Sequence, residues 1–128
     1  MSYKVLIPID GSPCSLRAAE LAAKWASQMG WSATLFHIYS AKSKNSSNGD
    51  SGEIFEGPES FFKRKGLQVR RREAKGDPAQ EICEVVKAGK YDLVIMGSRG
   101  LSGLKKLFMG SVSSKVIMSA TCPVTIVH

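Results

Sequence analysis

The sequence predicts an α/β fold: one domain over residues 1–128, built on a five-stranded, mostly parallel, doubly wound sheet. Three observations carry that expectation. Short apolar runs alternate with amphipathic stretches in the order β-α-β-loop-β-α-β-α-β, the pattern of crossover units whose strands pair in parallel. The turns Asp10-Gly11-Ser12-Pro13 and Gly76-Asp77-Pro78 share one chemistry, a small polar cap followed by proline. The chain of 128 residues, 43% hydrophobic and 23% charged, is of a size and composition that fit a single domain with its own core.

Each element follows from a local signal. YKVLIPI, residues 3–9, is a short apolar run ended by a turn, hence a buried strand. Ser12 and Pro13 fit the N-cap and first position of a helix running to about Met29. Ala19, Ala22, Ala23 and Ala26 share one face of it, and Gly30 stops it. ATLFHIY, residues 33–39, is the second strand. From Ser40 to Gly57 the chain is polar and rich in Ser, Asn and Gly, which predicts a flexible loop in place of most of a second helix. PESFFKRK, residues 58–65, supplies about two helical turns opened by Pro58. LQVRRREA, residues 67–74, is a third strand whose three arginines mark a sheet edge. Asp77 caps a helix over AQEICEVVKAG with Ile82, Val85 and Val86 inward. YDLVIM is apolar enough for a central parallel strand. A glycine-rich loop follows, then a helix from Ser111 to about Ala120 and a last strand in CPVTIVH.

Composition bounds the function. No apolar run approaches the length of a membrane span, and MSYKVLIPIDGS lacks the layout of a signal peptide. Cys14, Cys83 and Cys122 are odd in number and widely spaced. They read as buried thiols in a reducing compartment, the cytoplasm, rather than a disulfide framework or a metal site. The net charge of +7 raises a nucleic-acid reading. The basic residues are scattered, apart from Lys63-Arg64-Lys65, Arg70-Arg71-Arg72 and Lys105-Lys106, and no aromatics interleave with them, so they read as a solvated face.

In an open α/β sheet, ligands bind beyond the carboxyl ends of the strands, where strand order reverses. Two loops meet that description, Asp10 to Pro13 and Gly97 to Ser111. Glycines let backbone amides approach a ligand, and a helix starting at Ser111 directs free N–H groups to the same place. Ser98, Ser102, Ser111 and Ser113 add hydroxyls, while Arg99, Lys105 and Lys106 add charge. Neither GxxxxGK[ST] nor GxGxxG is present, so the residues alone indicate an anion site of nucleotide type.

The spacing Gly97-x2-Gly100-x9-Gly110-Ser111, after DLVIM and before a helix and PVTIV, resembles the ATP-binding signature of the universal stress protein family. VLIPIDGSPCS resembles that family's first strand and Asp-containing loop, FHIY its second strand, and Gly76-Asp77-Pro78 the turn after its third. The likeness runs in order along almost the whole chain. It implies a Rossmann-like sheet of the adenine nucleotide α-hydrolase-like type that binds ATP, or AMP or ADP. By position, Pro8 and Asp10 lie by the ribose and adenine, and Ile38 contacts adenine. Gly97, Ser98, Arg99, Gly100, Leu101, Ser102 and Gly103 wrap the ribose and phosphates. Gly110 belongs to the same signature, and Ser111, Val112 and Ser113 bind the outer phosphates. Asp10 or Ser12 helps hold a magnesium ion carried with the nucleotide. Members usually have a long second helix, from which this sequence departs.

The implied function is a nucleotide-dependent regulatory or stress-response module. An enzyme, a slow magnesium-dependent ATPase or phosphotransferase, is the alternative, but the loop offers no carboxylate, glutamine or histidine to orient a nucleophile. The last strand, uncharged and apolar at Val124 to Val127, predicts a homodimer formed by its pairing with a second copy.

Overall fold

In the computed structural model, which describes residues 3–39, 50–100 and 109–128, nine elements alternate along the chain. They are β1 (Lys4–Pro8), α1 (Pro13–Met29), β2 (Ser32–Tyr39), α2 (Asp50–Lys63), β3 (Arg70–Lys75), α3 (Pro78–Gly89), β4 (Leu93–Gly97), α4 (Ser111–Ser119) and β5 (Val124–Val127). The sheet runs β3-β2-β1-β4-β5, with every neighbouring pair parallel. Strand order therefore reverses between β1 and β4, as a doubly wound sheet requires. Among the described residues no helix is long and apolar enough to cross a membrane.

Strand alternation builds a core on each face of the sheet. Val5, Ile7 and Ile9 face one cluster with Leu35, Ile95 and the alanines of α1, joined by Phe55 and Phe62 of α2. Leu6, Phe36, Val94 and Met96 face the other, with Ile82 and Val86 of α3 and Val116 of α4. With both faces covered, β4 is buried throughout and β1 from Val5 onward, which is why they read as unbroken apolar runs. The α1 alanines expose no more than 2% of their surface, so small side chains let the helix lie close on the sheet.

Helix α1 begins and ends as its residues dictate. The Ser12 side chain accepts from Ser15 N–H, Pro13 opens the first turn, and Gly30 closes the helix with φ 71°. Asp77 caps α3 in the same way, accepting from Gln80 N–H at 3.0 Å.

The second helix corrects the sequence reading. The loop expected over residues 40–57 ends by Asp50, where a fourteen-residue α2 begins, and Pro58 lies inside that helix rather than opening it. Residues 40–49 lie outside the described residues. Phe55, Pro58, Glu59 and Phe62 fall at i, i+3, i+4 and i+7, and all four are buried. Packing of that face on α1 and β2 outweighs the helix-breaking tendency of proline and the polar composition before it. A covering second helix is therefore present.

Glu59 also ties α2 to β3, where its two oxygens accept from Arg71 Nε at 2.6 Å and Nη2 at 2.7 Å. The Arg71 hydrogen bonds, with its charge and that of Lys63, outweigh burial and hold the Glu59 carboxyl below its usual range. Strand β3 occupies an edge of the sheet, with its arginines exposed. It begins at Arg70, three residues later than expected, because Leu67 N–H bonds Phe62 O in the turn that closes α2. At the other edge β5 is half-buried.

Candidate functional site

A cavity of about 440 Å³ opens at the carboxyl ends of β1 and β4. It lies where the strand order reverses, the place an open α/β sheet offers to a ligand. Other clefts, of about 480, 490 and 570 Å³, run along helix faces or beside β3 and touch none of the strand ends at the reversal. The 440 Å³ cavity has an apolar side from Pro8, Ile9, Ile38, Ile82 and Met96, and a polar side from Asp10, Arg99, Gly100 and the start of α4. Such a two-sided cavity suits a ligand with a flat apolar part and an anionic part.

The polar side is assembled by short-range geometry. Asp10 leaves β1 and folds back, its Oδ1 accepting from Ser12 N–H at 2.9 Å. Its other oxygen, Oδ2, lies so close to Gly100 that any side chain there would collide with it. A glycine at position 100 thus leaves the Asp10 carboxylate where it lines the cavity. Gly97 answers to a different neighbour. A Cβ at Gly97 would meet Cys14 Cβ at 2.7 Å and the backbone of Cys14 and Ser15 at 2.8 and 2.9 Å. The first turn of α1 therefore rests directly on the end of β4.

Helix α4 completes the rim. Gly110 sits at its N-cap with φ −74° and ψ 166°, and among the described residues no side chain caps the terminal amides. The half-dipole of the helix and its first N–H groups are left for an external acceptor. Ser113 holds this end in place, its buried hydroxyl donating to Gly97 O at 2.8 Å, with Ser98 O at 3.2 Å. Gly110 N–H bonds Ser98 O at 2.6 Å.

The residues expected at the site divide into three groups. Pro8, Asp10, Ile38, Gly97, Arg99, Gly100, Gly110, Ser111, Val112 and Ser113 all line the cavity. Ser98 does not, because it is fully buried and its Oγ lies 3.9 Å from Cys14 Sγ. Leu101, Ser102 and Gly103, with Lys105 and Lys106, lie outside the described residues. Ser12 borders the cavity, but its buried hydroxyl is engaged as the α1 cap and with Arg99 O at 3.4 Å. Of the two candidate magnesium ligands, that leaves Asp10 as the half-exposed one. Among the described residues no group of three or more His, Cys, Asp or Glu could hold a metal by itself.

Sequence reasoning missed Ile9, Ser15, Pro78, Ile82 and Met96. Ile82 and Met96 read as core by periodicity, and core they are. Nothing in their spacing marks the end of the core that faces the cavity. Cys14 lies behind the cavity floor. Burial pushes its thiol up, but the Ser98 hydroxyl, the Arg99 backbone and the Arg17 guanidinium outweigh that and leave it below the ordinary range. His37 is buried beside the second strand's end with Nδ1 3.1 Å from Ile9 O, so Nδ1 carries the proton in that bond. It lies outside the cavity lining.

Comparison with known proteins finds relatives along the whole chain. The chain is 31% identical to the universal stress protein YxiE of Bacillus subtilis, over the full length of both. It is 34% identical to the universal stress protein MJ0531 of Methanocaldococcus jannaschii, covering 97% of this chain and 81% of that one. Among solved structures, the MJ0577 protein superposes with a TM-score of 0.87 at 25% identity, covering 99% and 96% of the two chains. A universal stress protein crystallised in complex with cAMP superposes at 0.80 with 26% identity, covering 98% and 97%. The model of the universal stress protein family matches residues 1–128, and the chain belongs to that family.

Proposed function

We propose that this protein binds ATP in the 440 Å³ cavity and acts as a nucleotide-dependent regulatory module of the stress response. The observation that carries the reading is the juxtaposition of an apolar slot with an uncapped helix N-terminus, spanned by Asp10 and Gly100. Adenine fits between Ile38, Ile82 and Met96, the ribose hydroxyls reach Asp10, and the phosphates meet Arg99 and the amides of Ser111 to Ser113. A relative of like fold holds cAMP, an adenine nucleotide of the same chemical class. Magnesium fits only as an ion carried by the nucleotide, with Asp10 Oδ2 as the protein's single carboxylate donor and phosphates and water as the rest. Calorimetry with ATP and AMP tests the reading, and Gly100→Ala should weaken ATP by on the order of tenfold by displacing Asp10. Unchanged affinity in the folded variant would remove the ribose and phosphate assignment.

Turnover is slow in this reading. Asp10 already accepts from the Ser12 amide and stands at the ribose side rather than beyond the outer phosphate, so it does not orient a nucleophile. Hydrolysis should stay well below ~1 s⁻¹. A fast rate lost in Gly100→Ala would favour the ATPase or phosphotransferase.

The module works as a homodimer through β5, in the cytoplasm. Strand β5 is an edge with no neighbour beyond it among the described residues, and it is apolar or β-branched at every position. Helix α4, packed against β5, exposes Ile117 at 42% and Met118 at 85%. Pairing of two β5 strands would extend the sheet and cover that surface. The three thiols are free, as suits a reducing compartment. Sedimentation should show a dimer that Val127→Lys converts to monomer, and a monomeric wild type would refute the arrangement.

A further inference from the structure

On the face of the sheet away from α3 and α4, helices α1 and α2 leave a groove of about 490 Å³ between them. Its floor is apolar, made by half-buried Leu21 and Phe61. Its rim is cationic, with exposed Lys24 on the α1 side and exposed Arg64 and Lys65 where α2 ends. Arg17 adds a fourth cation at one end, and Glu20 is the single carboxylate. Among the described residues the one side-chain ion pair is Glu59–Arg71, at β3, so Lys24, Arg64 and Lys65 have no carboxylate partner there. Like charges gathered around an apolar floor raise the local potential and favour an anionic occupant.

We infer that this groove docks an acidic peptide segment of a partner protein, one that carries one or two apolar side chains among its carboxylates. Cations confined to the rim of a concave slot match carboxylates flanking an apolar anchor, which Leu21 and Phe61 receive. A nucleic acid fits less well. Phe61 is the one aromatic among the described residues of the groove, and its ring already has the Arg64 guanidinium 5.8 Å from its centroid, so these residues form no platform for successive bases. A lipid surface is flat, whereas the cations here converge on a cleft. The groove is also separate from the cavity at the strand ends, so a peptide and a nucleotide can be bound together. Arg17 stands between the two, its Nη2 3.2 Å from Cys14 Sγ and its Nε 2.6 Å from His128 O.

The test is fluorescence anisotropy on the full chain with a fluorescein-labelled peptide of sequence Glu-Asp-Glu-Leu-Leu-Asp-Glu-Asp. Binding should be saturable and fall with added salt. It should weaken by on the order of tenfold in the Arg64→Glu, Lys65→Glu double variant and, independently, in Lys24→Glu. Replacing both leucines of the peptide by serine should weaken it as well, and ATP affinity should be the same in all these variants. Absence of saturable binding to the wild type would overturn the inference. So would indifference to both sets of charge reversals, or tighter binding of an oligo-thymidine strand or phosphatidylserine vesicles than of the peptide at equal salt.

Discussion

Helices α1 and α4 both start at the carboxyl edge of the sheet and both border the cavity, yet their first turns are finished differently. The α1 terminus is closed from within, with Ser12 accepting from Ser15 N–H and the helix seated against Gly97. The α4 terminus has glycine where α1 has serine, and among the described residues no side chain caps it. A capped helix end has met its hydrogen-bonding needs and serves the fold. An uncapped end that faces a cavity holds donors in reserve for something else. The difference separates structure from function more sharply than a count of glycines, for Gly97 ends β4 and seats α1 while Gly100, three residues on, borders the cavity.

The largest effect should come from the structural side. Gly97→Val would drive a branched side chain into the backbone of Cys14 and Ser15, at 2.8 and 2.9 Å from Cβ alone. Urea denaturation should show a loss of about 3 kcal/mol or outright failure to fold. A folded variant of near wild-type stability would mean that α1 is not fixed by its seat on β4.

Next comes the conversion of one terminus into the other. Among the described residues the nearest atoms to a Cβ at Gly110 are 3.5 Å away or more, and its φ is an ordinary one, so Gly110→Asp fits. The new carboxylate would cap α4, leaving the melting temperature equal or higher, and would occupy the place of the phosphates. ATP affinity should drop by about 1.5–3 kcal/mol, tenfold or more. Intact binding in that variant would break the contrast between the two termini.

The reverse experiment is milder. Ser12→Ala removes the α1 cap and should cost about 1 kcal/mol in stability, with a smaller effect on ATP than Gly110→Asp has. A larger effect on ATP than on stability would place Ser12 with the ligand-binding residues.

A change remote from both termini should be smallest. Glu59→Gln loses the charge of the pair with Arg71, whose side chain is 49% exposed, so the cost is about 0.5–1 kcal/mol. The folded carboxyl titrates below its usual range because Arg71 bonds it. The pair's contribution is therefore complete above the unfolded glutamate value, near pH ~4.3, and is lost as pH falls through the lower folded value. Wild type and variant should converge in stability in acid while ATP binding at neutral pH stays the same. A gap that persists at acid pH would mean that packing, and not charge, is what Glu59 supplies.

Much of this protein was legible from its residues because the signals are local. Strand runs, the Ser12-Pro13 and Asp77-Pro78 caps, the Gly30 stop and the arginine-guarded edge depend on neighbours within a few positions, and apart from the later start of β3 each stands as read. The glycine spacing likewise identified the loop and the family. Tertiary structure decided the rest. Helix α2 begins at Asp50 because Phe55, Pro58, Glu59 and Phe62 find partners on α1, β2 and β3, a gain invisible in a stretch of serines, glycines and a proline. Only the folded chain shows that Ser98 turns its hydroxyl to Cys14 while Arg99 beside it faces the cavity. Only there do Ile82 and Met96, core by every periodicity, form its apolar side. Which end of a core residue meets a ligand depends on what stands across from it, and those neighbours come from distant parts of the chain.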